Sequence, residues 1–138
     1  MKRTLLLASH STLASGMAEA LRFFAGEDAA ILTLNAYVDN QPVDQKIKTI
    51  FDQFDSDQEV IVLTDLLAGS VNQALYPYRT RAHTHIVTGM NLALGLAMLL
   101  EPTGDYMTPE RVRHLVQDAK DNVVYMNEYT PEVSDDDE

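Results

Sequence analysis

The sequence predicts an open, mainly parallel α/β sheet in strand order 2-1-3-4, with helices on both faces and a possible extra strand at the carboxyl end. Three observations carry this. Short runs rich in Leu, Val and Ile alternate with amphipathic stretches of helical period along the chain. The clearest run, Glu59–Thr64 (EVIVLT), is apolar at consecutive positions, as a strand covered on both faces must be. No internal repeat and no long Pro/Gly/Ser-rich linker divides the 138 residues. Residues 1–130 are therefore expected to form one domain, and the acidic run at 131–138 a disordered tail.

The elements follow in order. Thr4–Ala8 reads as the first strand. Leu13–Ala25 reads as a helix with Leu13, Met17, Leu21 and Phe24 on one face, closed by Gly26. Ala29–Tyr37 (AAILTLNAY) is the second strand. Pro42–Phe54 is a helix, with Pro42 near its start and Val43, Ile47, Ile50, Phe51 and Phe54 on one face. After the third strand, Ser70 suits the N-cap of a helix running to about Tyr78, kept short by Pro77. Thr84–Val87 is the fourth strand. Asn91 caps an apolar helix ending at Leu100. Thr108, Pro109 and Glu110 open the last helix as N-cap, N1 and N2, and it runs to about Lys120. Val123–Met126 (VVYM) reads as a final short strand.

Composition narrows the function. The chain has no cysteine, which removes disulfides, thiolate metal sites and thiol catalysis and fits a reducing cytoplasm. Ten basic against 21 acidic residues give a net charge of −11, which repels phosphate backbones and anionic lipid and steers a basic protein partner inward. Nucleic acid is not an expected partner. The apolar run Leu5–Ala8 is too short for the core of a signal peptide. The longest one, MNLALGLAMLL at 90–100, falls short of the roughly 20 residues that cross a bilayer.

In open parallel sheets, ligands bind beyond the carboxyl ends of the strands. The candidates are therefore Ser9-His10-Ser11-Thr12 after the first strand, Val38-Asp39-Asn40 after the second, Asp65 to Ser70 after the third and Thr88 to Asn91 after the fourth. His10 is read as lying in a polar joint between the first strand and its helix. If strands 1 and 3 are neighbours, His10 and Asp65 can meet. The carboxylate would then fix the imidazole tautomer and leave the other ring nitrogen nucleophilic. Helix starts nearby would welcome an anion, with Gly69 allowing close backbone approach and Ser70 adding a hydroxyl. Such a site suits a histidine that carries a phosphoryl group.

Two enzyme classes lack their residues. A receiver domain needs an acidic pair after the first strand to hold Mg²⁺, where this chain has Ser9-His10. A serine hydrolase of this fold needs a G-x-S-x-G elbow, which is absent from the sequence. His83 and His85, two apart on a strand, could form a metal pair, but no third ligand is evident; surface or capping roles fit them better, and no metal site is expected.

The stretches LASHSTLASGMAEAL, TDLLAGSVNQA and VTGMNLALGLAML resemble, in that order, the mannose-type IIA domains of the bacterial sugar phosphotransferase system, over about residues 4–127. That family typically shows Ser-His-Gly after an apolar strand, then Asp-Leu-x-Gly-Gly-Ser-Pro-x-Asn, then Gly-x-Asn-Leu opening an apolar helix. Here Ser11 replaces Gly, Ala68 the first Gly of the pair, and Val71 the Pro; Asn72 falls one residue early. The resemblance implies a cytoplasmic phosphoryl carrier without cofactor. His10 would accept phosphate from the histidine phosphocarrier protein HPr and pass it to a IIB domain, for sugar entering through membrane IIC/IID subunits. Asp65 would orient His10, and Ser11, Thr12, Gly69 and Ser70 would hold the phosphate. A homodimer is also implied, in some relatives with exchange of the last strand. The sugar is not legible. The alternatives are the phosphotransfer subunit of a dihydroxyacetone kinase, and a non-catalytic regulatory or anion-binding module on the same fold.

Overall fold

A computed structural model describes residues 1–132. Its strands are β1 (Arg3–His10), β2 (Ile31–Ala36), β3 (Glu59–Thr64) and β4 (Thr84–Thr88). All pair in parallel, in the order β2-β1-β3-β4. The helices are α1 (Leu13–Ala25), α2 (Val43–Phe51), α3 (Ser70–Leu75), α4 (Leu92–Leu100) and α5 (Pro109–Lys120). The predicted order and the helices on both faces are observed.

Alternation along the strands divides the core in two. Leu5, Leu7, Ile61 and Leu63 pack under α1, α4 and α5, against Ala14, Ala18, Leu21, Leu94, Met98 and Leu115. Leu6, Ala8, Val60 and Val62 point the other way, against Ile47 and Phe51 of α2 and Val71 and Leu75 of α3. Every residue of β3 is buried, which explains its unbroken apolar run. At the amino end of the sheet, buried Glu59 pairs with Arg3 and accepts the Met107 amide at 2.7 Å.

The structure departs from the sequence reading at several boundaries. β1 continues to His10, because Ser9 and His10 pair with Asn35 and Ala36 of β2. His10 is thus the last residue of a strand, not part of the joint. β2 stops at Ala36, where Tyr37 turns into the left-handed region at φ 66°. α1 buries Ala14, Ala18 and Leu21, whereas Leu13 and Phe24 are exposed; small residues let the helix sit close on the sheet and α4. Ser70 is the first residue of α3 rather than its cap, and Gly69 precedes it without a side-chain bond. α3 gives way at Tyr76 to a 3₁₀ turn through Thr80, with Pro77 at its start. The Asn91 and Thr108 caps are as expected, accepting the Leu94 and Arg111 amides at 2.8 and 3.1 Å.

Val123–Met126 is not a strand. The chain turns at the end of α5 and forms a 3₁₀ turn at Met126–Glu128. Among the described residues it pairs with no strand, so the sheet ends at β4 on that side. His83 and His85 do not form a pair. His83 lies before β4 at φ 59° and stacks on Tyr106 with centroids 3.6 Å apart, while the His85 ring meets the Met107 carbonyl. Of the acidic tail, 133–138 lies outside the described residues; Pro131 and Glu132 are exposed.

Candidate functional site

The site is built where β1, β3 and β2 end. His10 belongs to the face of β1 that carries Leu6 and Ala8, so its ring rises beside α3. Asp65 is the first residue past β3, the neighbour of β1. One carboxylate oxygen, Oδ2, accepts both the His10 backbone amide and ring Nδ1, each at 2.8 Å. The other oxygen accepts the Leu66 amide at 3.0 Å. Both oxygens are thus occupied, and the Asp65 side chain is 7% exposed against 37% for His10. Burial alone would raise the Asp65 carboxyl, but the His10 amide, the His10 ring bond and the ring's charge outweigh it and hold the carboxyl below its ordinary value.

A carboxylate has no proton to give, so Nδ1 is the donor, and in the neutral ring Nε2 bears the lone pair. Nε2 faces Ser70 Oγ at 3.3 Å. The ring also lies against the Gly69 backbone. A Cβ there would stand 2.9 Å from His10 Cε1 and 3.2 Å from the Leu66 carbonyl oxygen, so only glycine leaves room for the imidazole.

The structure therefore brings His10, Asp65, Gly69 and Ser70 together. Ser11 and Thr12 are adjacent and exposed, but neither hydroxyl bonds to His10. Two amides at the start of α1 are already taken, Ala14 by Ser9 Oγ at 2.7 Å and Ser15 by Asn35 Oδ1 at 3.3 Å. Ser9, a candidate at the strand end, takes a role the sequence did not assign it, and Tyr37 was not among the candidates. Buried Ser9 supplies that bond at the helix start. Tyr37 places its ring 5.6 Å from the His10 ring and its hydroxyl 2.6 Å from Ser70 Oγ. The rule of strand ends would have found Tyr37, had the second strand been closed one residue earlier.

Residues 4–108 match the EIIA-man family, described as the PTS system fructose IIA component. The chain belongs to this family. Among solved structures, it is similar to a protein from Klebsiella pneumoniae described as a candidate phosphoenolpyruvate-dependent sugar phosphotransferase system permease, with 31% identity over 93% of each chain and a TM-score of 0.85. It is also similar to a PTS IIA protein associated with the fucose utilization operon of Streptococcus pneumoniae, with 27% identity, 92% and 95% of the two chains covered and a TM-score of 0.75. A mannose/sorbose-specific IIA subunit from Enterococcus faecalis is 25% identical, with 97% and 100% covered and a TM-score of 0.74. Curated proteins give no significant match.

Within this IIA domain, the departures from the family pattern acquire a local account. Ser11 adopts φ 54°, the conformation a glycine takes without strain. Asn72, one residue early, still ties the loop down: it accepts from Thr64 Oγ1 at 2.8 Å and donates to the Leu67 carbonyl at 3.1 Å. The site is a rim rather than a pocket. A cleft of about 570 Å³, lined by Asn35, Gln41, Gln45, Lys46 and Thr49 among others, does not include His10. None of the helices among the described residues is long and apolar enough to cross a membrane.

Proposed function

We propose that this IIA domain, residues 1–130, is a cytoplasmic phosphoryl carrier. His10 receives a phosphoryl group from HPr and delivers it to a IIB domain, which serves sugar uptake through IIC and IID membrane subunits. The observation that carries this reading is the polarised imidazole: Nδ1 held by Asp65 at 2.8 Å, with Nε2 facing the Ser70 hydroxyl at 3.3 Å on an exposed rim.

The chemistry follows from that tautomer. The Nε2 lone pair forms a bond to phosphorus as the bond from phosphorus to the donor histidine breaks, its electron pair returning to the donor nitrogen. Nδ1 keeps its proton, so the ring becomes cationic, and the Asp65 carboxylate balances that charge. A cationic phosphoimidazole is a good leaving group, so onward transfer needs no new proton. Ser70 donates to a phosphoryl oxygen, with the exposed Ser11 and Thr12 hydroxyls and the Gly69 turn completing the cradle. Exposed Leu13 at the start of α1, Tyr37 and Val38 after β2, and Leu66 and Leu67 after β3 surround this rim, an apolar surface suited to docking a protein donor or acceptor.

Incubation with phosphoenolpyruvate, enzyme I and HPr, followed by intact mass, tests the reading. Wild type should gain one phosphoryl group that survives mild alkali and decays in acid, because protonation makes the phosphoramidate nitrogen a leaving group. His10→Ala should gain none. Equal labelling of His10→Ala would overturn His10 as the acceptor, and a wild type that gains no phosphoryl group would leave the binding-module alternative in its place.

A further inference from the structure

Tyr37 poses a question that packing does not answer. It sits at φ 66°, a backbone conformation that a bulky side chain rarely adopts. Burial does not hold it there, since Tyr37 is 60% exposed. Two contacts remain to account for it. Its ring faces His10 at 5.6 Å with a 32° tilt, and its hydroxyl meets Ser70 Oγ at 2.6 Å. The turn is braced from β2, since the Ala36 carbonyl accepts the Ser11 amide at 2.9 Å and Ala36 is the register partner of His10. The strain is therefore held at the one place where the phenol reaches the serine beside Nε2.

We propose that Tyr37 is a positioning residue for phosphoryl transfer at His10, acting through Ser70. A serine hydroxyl has one proton. If Ser70 gave it to Tyr37, none would be left for Nε2 or for a phosphoryl group. The phenol is the stronger acid of the two and the better donor. With Tyr37 donating to Ser70 Oγ, the Ser70 proton turns toward Nε2, 3.3 Å away. The result is a directed chain from Tyr37 to Ser70 to His10, in which each bond polarises the next. When Nε2 takes up phosphorus, the Ser70 proton passes from that nitrogen to an incoming phosphoryl oxygen, while the Tyr37 hydroxyl keeps Ser70 Oγ in place and its proton on the His10 side.

This inference rests on the reading of His10 as phosphoryl acceptor, and its test separates the two. Tyr37→Phe keeps the ring and removes only the hydroxyl. In transfer from phosphorylated protein to a IIB domain, Tyr37→Phe should lower kcat about 2- to 10-fold, the effect of one hydrogen bond, with KM unchanged. Ser70→Ala should lower it at least as far, and the double variant no further than Ser70→Ala alone, because the phenol acts through that serine. In the unphosphorylated protein, the ¹⁵N resonance of His10 Nε2 should move in the same direction in both single variants. A Tyr37→Phe protein with wild-type kcat, a rise in KM alone, losses that multiply in the double variant, or an unmoved Nε2 resonance would each overturn the proposal. If wild-type protein takes no phosphoryl group, the carrier reading fails, and the resonance still decides whether the hydroxyl chain exists.

Discussion

At the scale of single residues, His10 is held by the segments that follow two neighbouring strands, β3 and β2, and the most consequential of its partners is Asp65. Its folded pKa lies below the unfolded value of about 3.9. Between those two values the unfolded chain binds more protons than the folded one, so stability rises with pH there. The Asp65 contribution is thus complete above about pH 4 and is lost as the pH falls through the folded pKa. Urea midpoints for wild type and Asp65→Asn, taken from pH 2.5 to 7, should differ by a constant amount at the upper end and converge at the lower. A gap unchanged with pH would mean that the carboxylate charge does not bind this site together. The same variant should transfer phosphate on the order of 10- to 10⁴-fold more slowly, the range of orienting and acid–base groups. His10, Asp65, Gly69 and Ser70 were legible because each stands at a strand end or helix start. Tyr37 was not, since its role depends on a φ of 66° that no residue type announces. Ser9 stood among the strand-end candidates, but its part did not show: it caps α1 from inside a strand five residues before Ala14, a distance that local capping patterns do not cover.

At the scale of elements, the sequence located strands and helices well where one periodicity ruled, and poorly where two apolar choices competed. In α1, both Leu13–Phe24 and Ala14–Leu21 fit a helical stripe; the small residues won because the sheet and α4 approach closely there. Gly95 of α4 reports the same tightness. A Cβ at that position would stand 2.9 Å from Leu21 Cδ2 and 3.0 Å from Cδ1, and Leu21 is fully buried. α4 therefore uses its apolar surface within its own chain, between α1 and α5. Gly95→Val should force these helices apart and destabilise the fold by about 1–3 kcal/mol, as overpacking does, despite removing a helix glycine. Thermal melts would measure it. A melting temperature at or above wild type would mean that the α1–α4 contact is looser than its distances. His10 is expected to accept phosphate in the variant at temperatures where it remains folded, because the rim lies on other loops.

At the scale of the whole molecule, one apolar segment has no place in the described chain. Val123, Tyr125 and Met126 are 79%, 66% and 67% exposed, beyond the last turn of α5. One edge of the sheet, along β4, is also unpaired. Beside it runs a surface lined by Ile86, Val87, Val112 and Val116. An exposed apolar run and an open strand edge are both liabilities in water, and each is what the other lacks. The Asn91 side-chain amide donates to the Ala119 carbonyl at 3.2 Å and so ties the end of α5 to the start of α4. The homodimer with an exchanged last strand that the family resemblance implies would answer both liabilities, and we expect the chain to dimerise with Val123–Met126 of each copy pairing along β4 of the other. The strand read from VVYM would then form between chains rather than within one. Analytical ultracentrifugation at about 10 µM should give wild type twice the 15.4 kDa chain mass. Val124→Pro with Met126→Asp should give the chain mass, because proline removes a ladder donor and aspartate cannot be buried unpaired. Both proteins should still gain one phosphoryl group at His10, since no part of the segment touches that site. Wild type sedimenting as a monomer would remove the dimer. A dimer that survives the double variant would move the interface to another face.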